Sequence, residues 1–150
     1  MNPIRNFYRK NFCSRGKRLL LDLIDSNTDM MFGIVLEEVG LPSGHITLYK
    51  WWKNERSAFH ERICFENINA DGISNGIIER DLSEFERVFS CIDAAESLNL
   101  KSFSSTYRDG VLYSLSWGSK ARLKSIEIDN PTINSPHDHL VENIKNCQWL

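Results

Sequence analysis

The segment of residues 81–98, DLSEFERVFSCIDAAESL, constrains the fold more than any other stretch of the chain. Its apolar side chains recur at spacings of three and four residues, which aligns them on one side of a helix. Ser83 and Glu86 fit a capping box at the start of that helix, and Leu82 can pack as a hydrophobic staple. The aligned residues are Leu82, Phe85, Val88, Phe89, Ile92 and Ala95. Because such a stripe has to be buried, the rest of the sequence must supply a surface that covers it.

The segments before this helix have the composition of β-strands, and we expect them to form an antiparallel meander. The predicted strands are Met30–Val39, His45–Lys53 and Ala58–Phe65. The glycine- and proline-containing stretch 40–44 and the polar stretch 67–76 are predicted to be loops. The apolar run Leu19–Ile24 is compatible with a strand or with the last turns of a helix.

A hairpin or a pair of hairpins is predicted after the helix, within residues 101–129. Asp109-Gly110 is a strong turn signal between two alternating apolar segments. The odd parity of Leu123 against Ile126 calls for a β-bulge in the returning strand.

A final helix is predicted from its cap. Ser135 suits the N-cap position and Pro136 the first helical position, where its missing N–H costs nothing. The predicted buried face consists of Leu140, Val141, Ile144 and Cys147.

The order of these elements predicts an α+β fold. We expect an antiparallel sheet, made of the meander and the late hairpin, with the central amphipathic helix and the C-terminal helix packed on one face. A chain of 150 residues with 41% hydrophobic content is long enough to bury one core, so residues 1–150 are predicted to form a single domain. Residues 1–18, which are basic and aromatic, are expected to pack on it.

The cysteines and the hydropathy pattern indicate a cytoplasmic protein. The four cysteines are widely separated and none lies in a CxxC pair, which favours reduced thiols over a disulfide framework: Cys13, Cys64, Cys91 and Cys147. No apolar run approaches the length of a membrane span, and the N-terminus lacks the apolar core of a signal peptide.

The sequence offers no catalytic or metal-binding signature. His137 and His139 would lie about 200° apart around a helix, so they are not expected to share a metal ion. His60 and Cys64 would lie roughly 13 Å apart along a strand, which is too far for proton transfer. No motif of a serine hydrolase, a nucleotide-binding loop or a zinc protease occurs. We therefore expect a protein that is not an enzyme and has no cofactor.

Charge is divided unevenly along the chain. Residues 1–18 carry six basic and no acidic side chains, whereas residues 19–96 carry fifteen acidic and six basic ones. A surface of one charge attracts partners of the opposite charge and repels nucleic acid. The predicted partner-binding residues are Asp25, Asp29, Glu37, Glu38, Trp51, Trp52, Glu55, Glu61, Glu66 and Asp71. An ordinary solvated surface, and burial of both tryptophans in the core, are the competing interpretations.

The basic N-terminal segment supports an alternative function. Phe7, Tyr8 and Phe12 are interleaved with six basic residues, a composition also found in nucleic-acid-binding arms and in membrane-surface helices. Under this alternative the protein is a module that binds nucleic acid or the ribosome through residues 1–18.

The whole arrangement resembles a known class of proteins. A stand-alone α+β domain with an acidic middle and a late hairpin, RDGVLYSLSWGSKARLKSIEI, before a terminal helix is similar to the immunity proteins of bacterial polymorphic toxin and contact-dependent growth inhibition systems. The resemblance implies a specific inhibitor that binds one cognate toxin, often a nuclease, and has no turnover of its own. It implies a basic protein partner, no membrane and no direct contact with nucleic acid.

Overall fold

The computed structural model describes residues 18–41, 43–97 and 110–146. In this part of the chain there are seven strands and three helices. The strands are β1 (Phe32–Leu41), β2 (Ile46–Lys53), β3 (Ala58–Phe65), β4 (Ile73–Ser74), β5 (Ile78–Arg80), β6 (Gly110–Ser119) and β7 (Arg122–Asp129). The helices are α1, described over residues 18–26, α2 (Leu82–Ser97) and α3 (Pro136–Lys145). The predicted α+β fold is confirmed.

All strands belong to one antiparallel sheet, in the order β4-β3-β2-β1-β6-β7, with β5 also paired to β3. The segments β1, β2 and β3 form the predicted meander, and β6 and β7 form the predicted hairpin beside β1. The long strand β1 is therefore central. Its alternate side chains point to two different cores.

One face of the sheet is covered by α2 and α3. Phe85, Val88 and Ile92 of α2 are buried against this face, as the spacing predicted. Leu140, Val141 and Ile144 of α3 extend the same core. Burial of each of these large side chains contributes roughly 1.5–3 kcal/mol, so this interface is a main source of stability.

The opposite face is covered by α1, which settles the ambiguity of the run Leu19–Ile24 in favour of a helix. Leu20, Leu23 and Ile24 pack there against Val35 and Trp52. The sheet is thus buried on both faces in the region where α1 lies opposite α2 and α3.

Burial on both faces removes the need for the predicted bulge. The pairing of β6 with β7 runs without interruption from Leu112↔Asp129 to Ser119↔Arg122. Leu123 packs in the α1 core, whereas Ile126 packs in the core under α2 and α3. The two apolar residues have different parity because each serves a different core, and the prediction of a bulge was wrong.

The cap of α2 also differs from the prediction. The helix begins at Leu82, and the N–H of Asp81 donates to the Glu84 carboxylate, 3.3 Å away. The capping pair is therefore Asp81 and Glu84, two residues earlier than the predicted Ser83 and Glu86. By contrast, the cap of α3 is as expected, since Ser135 accepts from the N–H of Asp138.

Some predictions fall on residues outside the described ranges or, at Ala95, on a side chain that the structure does not describe. These are the packing of residues 1–17, the turn at Asp109, the burial of Cys147 and the side chain of Ala95. Among the described residues, no helix is both long enough and apolar enough to span a membrane.

Candidate functional site

Three of the predicted partner-binding residues lie inside the protein. Trp51 and Trp52 are 1% and 4% exposed, on opposite faces of β2, and each faces one of the two cores. Glu37 is fully buried on the face of β1 that also carries Val35. The expectation that a tryptophan anchors a partner was therefore wrong, because both faces of the sheet are covered where this pair lies.

Glu38 is engaged within the fold and is not a free surface charge. Its Oε2 lies 2.6 Å from Nζ of Lys145, at the end of α3, and that Nζ also donates to the hydroxyl of Tyr113. Burial alone would lower the pKa of Lys145, but the hydrogen bonds to Glu38 and Tyr113 outweigh it and raise the pKa. Burial and the Glu38 charge likewise raise the pKa of Tyr113. This cluster ties the end of α3 to the sheet.

Glu61 is also paired. One of its oxygens lies 3.9 Å from Nζ of Lys50 on β2, and the other accepts from the hydroxyl of Ser74 on β4. Its role is to join three neighbouring strands.

The five remaining acidic residues are exposed, but they are divided between the two ends of the sheet. Asp25, Asp29 and Glu55 lie at the end where β1 begins and β2 turns into β3, and Asn54 donates to Asp29 there. Glu66 and Asp71 lie at the other end, after β3. The ten predicted residues thus do not share one acidic surface.

A groove opens beside Glu66 and Asp71, where β2 begins and β3 ends. It has a volume of about 420 Å³ and a mostly apolar lining. The lining residues are His45, Ile46, Thr47, Cys64, Phe65, Glu66, Ala70, Asp71 and Ile73. The chain after β3 packs tightly here, since a Cβ on Gly72 would lie 2.6 Å from the ring of Phe65.

Next to the groove runs a segment that is exposed along its whole length, residues 71–77, which we name the edge segment. Two large apolar side chains project from it into solvent, Ile73 with 77% and Ile77 with 62% of its surface exposed. Because Ile73 also lines the groove, the edge segment and the groove are together a candidate surface for contact with another molecule.

The edge segment is nevertheless held firmly against β3. The N–H of Asn75 donates to the carbonyl oxygen of Arg62, and the Asn75 side-chain oxygen accepts from the Arg62 N–H. Ser74 accepts from the N–H of Gly76, which has a φ of +90° that favours glycine. Between β4 and β5, where the strand pairing with β3 is interrupted, the two bonds of Asn75 keep the edge segment attached to β3.

Two carboxylates, Glu66 and Asp71, lie at the rim of the groove. Within the described ranges, neither of them forms an ion pair, and the same holds for Asp25, Asp29 and Glu55 at the other end of the sheet. The groove thus combines an apolar floor with two rim carboxylates that form no ion pair with any described residue.

The histidine considered for catalysis is buried and paired. His60 is fully buried on β3, and its Nε2 accepts from Nε of Arg80, 3.1 Å away. Burial, together with the Arg80 charge, lowers the pKa of His60 to about 4, so the ring is neutral at pH 7. Among the residues that the structure describes, no group of three or more histidine, cysteine and carboxylate side chains could hold a metal ion.

Sequence reasoning identified Glu66 and Asp71 but missed the apolar part of this site. The signal was present in the run DGISNGII, residues 71–78, in which isoleucines interrupt a series of turn-forming residues. The sequence pattern predicts a loop over residues 67–76, because no periodicity marks the short strands β4 and β5.

Comparison with models of known protein families finds no match for this chain, and comparison with curated proteins finds no significant match.

Proposed function

We propose that this chain is an immunity protein, a cytoplasmic inhibitor that binds one cognate bacterial toxin and blocks its activity. The observation that carries the proposal is the edge segment, with two exposed isoleucines on a backbone fixed by hydrogen bonds. We propose this segment and the adjoining groove as the surface that contacts the toxin.

The fixed backbone favours tight binding. A loop that becomes ordered only on binding loses conformational entropy, and this loss weakens the complex. Asn75 and Ser74 already hold the edge segment in one conformation through bonds to β3 and within the turn. Most of the free energy gained by covering Ile73 and Ile77 would therefore contribute to affinity.

The charge of the groove supports a basic partner. Glu66 and Asp71 lie at its rim and form no ion pair in the described part of the chain. Uncompensated carboxylates speed the association of a positively charged protein. A toxin that acts on nucleic acid binds the phosphate backbone through lysine and arginine side chains, so a nuclease is the toxin class we propose.

The test is neutralisation of a toxin encoded immediately upstream of this chain. We expect co-expression of the chain to restore the growth of bacteria that produce the toxin. We also expect the purified chain and the purified toxin to form a complex whose affinity calorimetry can measure. In the variant Ile73→Asp/Ile77→Asp, we expect affinity to fall by about 30-fold or more, as for residues at the centre of an interface.

Ile133→Asp is the matched control, because Ile133 is 81% exposed and lies in the loop before α3. It should leave affinity and growth rescue unchanged. The proposal is wrong if the unmodified chain does not rescue growth, and the assigned surface is wrong if both variants bind as the unmodified chain does. Circular dichroism melts would establish that each variant is folded.

A further inference from the structure

We infer that the groove receives an apolar side chain, aromatic or large aliphatic, that the partner presents between basic residues. The inference rests on the proposed function, and it specifies how the toxin is recognised. We call the partner side chain that enters the groove the anchor.

The lining of the groove selects an apolar group. Ile46 and Phe65 pack with the small core that includes Val39 and Leu112, so the floor is fixed by the sheet. The volume of about 420 Å³ is at the low end of the range of roughly 300–1,000 Å³ that is usual for ligand sites. A tryptophan, phenylalanine or leucine side chain would bury apolar surface of its own and of Ile73 at once.

The charges at the rim of the groove determine which partner residues are favoured on either side of the anchor. Glu66 and Asp71 both line the groove and both are exposed, so groups on either side of an inserted anchor would meet negative charge. Arginine and lysine beside the anchor are favoured, and aspartate and glutamate are repelled. Charge complementarity therefore indicates a cationic segment of a partner protein as the occupant.

Peptides test the inference without the toxin. The probes are two synthetic peptides, Arg-Arg-Trp-Arg-Arg and Arg-Arg-Ala-Arg-Arg, titrated into the ¹⁵N-labelled chain and followed by NMR. We expect the tryptophan peptide to shift the amide signals of residues 45–47, 64–66 and 70–73, and to bind at least tenfold more tightly than the alanine peptide. Equal binding of both peptides, no shifts, or shifts centred on Asp25, Asp29 and Glu55 would each overturn the inference.

Two variants separate the contributions of shape and charge. Ala70→Phe fills the groove and should abolish the preference for the tryptophan peptide, whereas Ala94→Phe, on the exposed side of α2, should not. Glu66→Gln/Asp71→Asn should weaken binding about fivefold, as expected for two exposed charge pairs. If Ala70→Phe unfolds the domain, the comparison of the two peptides on the unmodified chain still tests whether the groove receives an apolar anchor.

Failure of this inference can be distinguished from failure of the proposed function. If the chain neutralises the upstream toxin through Ile73 and Ile77 but the peptides do not bind, the function stands and the anchor is wrong. If the tryptophan peptide binds as expected but no toxin is neutralised, the groove recognises its ligand class and the immunity function is wrong. A dimer abolished by Ala70→Phe would show that a second copy fills the groove, which would also overturn the inference.

Discussion

The imidazole of His60 packs against the indole of Trp51 across β2 and β3, with 4.8 Å between the ring centroids. Both side chains lie on the sheet face that is covered by α2, and Arg80 donates a hydrogen bond to the imidazole at the outer edge. The ring is thus held between an apolar surface and a cation. Both neighbours favour its neutral form.

We predict that this histidine makes the protein sensitive to acid. The pKa of His60 is lowered to about 4, against about 6.5 in an unfolded chain, so the unfolded state binds more protons between these values. The stabilisation is complete above pH 6.5 and is lost as the pH falls towards 4, by up to about 3 kcal/mol. Urea unfolding at pH 7, 6, 5 and 4 measures it.

Two variants isolate the contribution of this residue. His60→Gln should lower the free energy of unfolding at pH 7 and flatten its dependence on pH between 4 and 6.5. His45→Gln should leave the profile as it is, because His45 is exposed. An unmodified chain with the same stability at pH 7 and pH 5 would contradict the assignment.

The ion pair between Lys145 and Glu38 provides a second prediction. Their side chains are only 22% and 19% exposed, so removing one partner leaves a poorly solvated charge. We expect Lys145→Met to lower the free energy of unfolding by about 2 kcal/mol. Adding Glu38→Leu should restore part of this loss, which a double-mutant cycle in urea would measure.

Glu86 supplies the control for that measurement. Its carboxylate lies 3.4 Å from Nζ of Lys53, but its side chain is 57% exposed. Because an exposed pair contributes little, Glu86→Gln should change the stability by less than about 1 kcal/mol. Equal costs for Lys145→Met and Glu86→Gln would show that burial does not set the value of these pairs.

The elements that were predicted well are those in which a local pattern and its burial coincide. The stripe of α2 and the Ser135 cap of α3 follow from spacing and from side-chain chemistry within a few residues. The meander followed from alternation in His45–Lys53 and Ala58–Phe65, which correspond closely to β2 and β3. Local physical chemistry was sufficient in these cases.

Apart from the cap of α2, the errors about the site concern contacts between residues far apart in the sequence. The destination of Trp52 depends on α1, which lies some thirty residues earlier in the chain. The pairing of Glu38 depends on Lys145 in the last described helix. Net charge along a sequence does not reveal such pairs. The predicted acidic surface therefore included residues that are buried or paired within the fold.

The aromatic contacts of α2 lead to a third prediction. Phe85 is fully buried and lies 6.2 Å from Phe32 and 6.4 Å from Trp51, between ring centroids. Phe85→Ala should lower the free energy of unfolding by about 3–5 kcal/mol, because the cavity adds to the lost apolar burial. Phe89 is only half-buried, and Phe89→Ala should cost about half as much. Guanidinium unfolding measures both, and the reverse order would contradict this account of the core.

The last prediction concerns the link between β6 and β7. Asn130 has a φ of +47°, and its side-chain oxygen accepts from the Val111 N–H at 2.8 Å, while its own N–H donates to the Val111 carbonyl at 2.9 Å. Asparagine tolerates this backbone conformation better than other residues with a Cβ.

Asn130→Ala keeps the strained φ and removes the acceptor, so we expect a loss of about 1–2 kcal/mol. Asn130→Gly relieves the strain but not the lost bond, and Asn130→Asp preserves an acceptor. The expected order of stability is therefore asparagine, aspartate, glycine, alanine. Urea unfolding would establish the order, and hydrogen exchange at the Val111 amide should accelerate only in the glycine and alanine variants. If the Asn130→Ala variant is as stable as the Asn130→Asp variant, the side-chain bond from Asn130 to Val111 does not stabilise this end of β6.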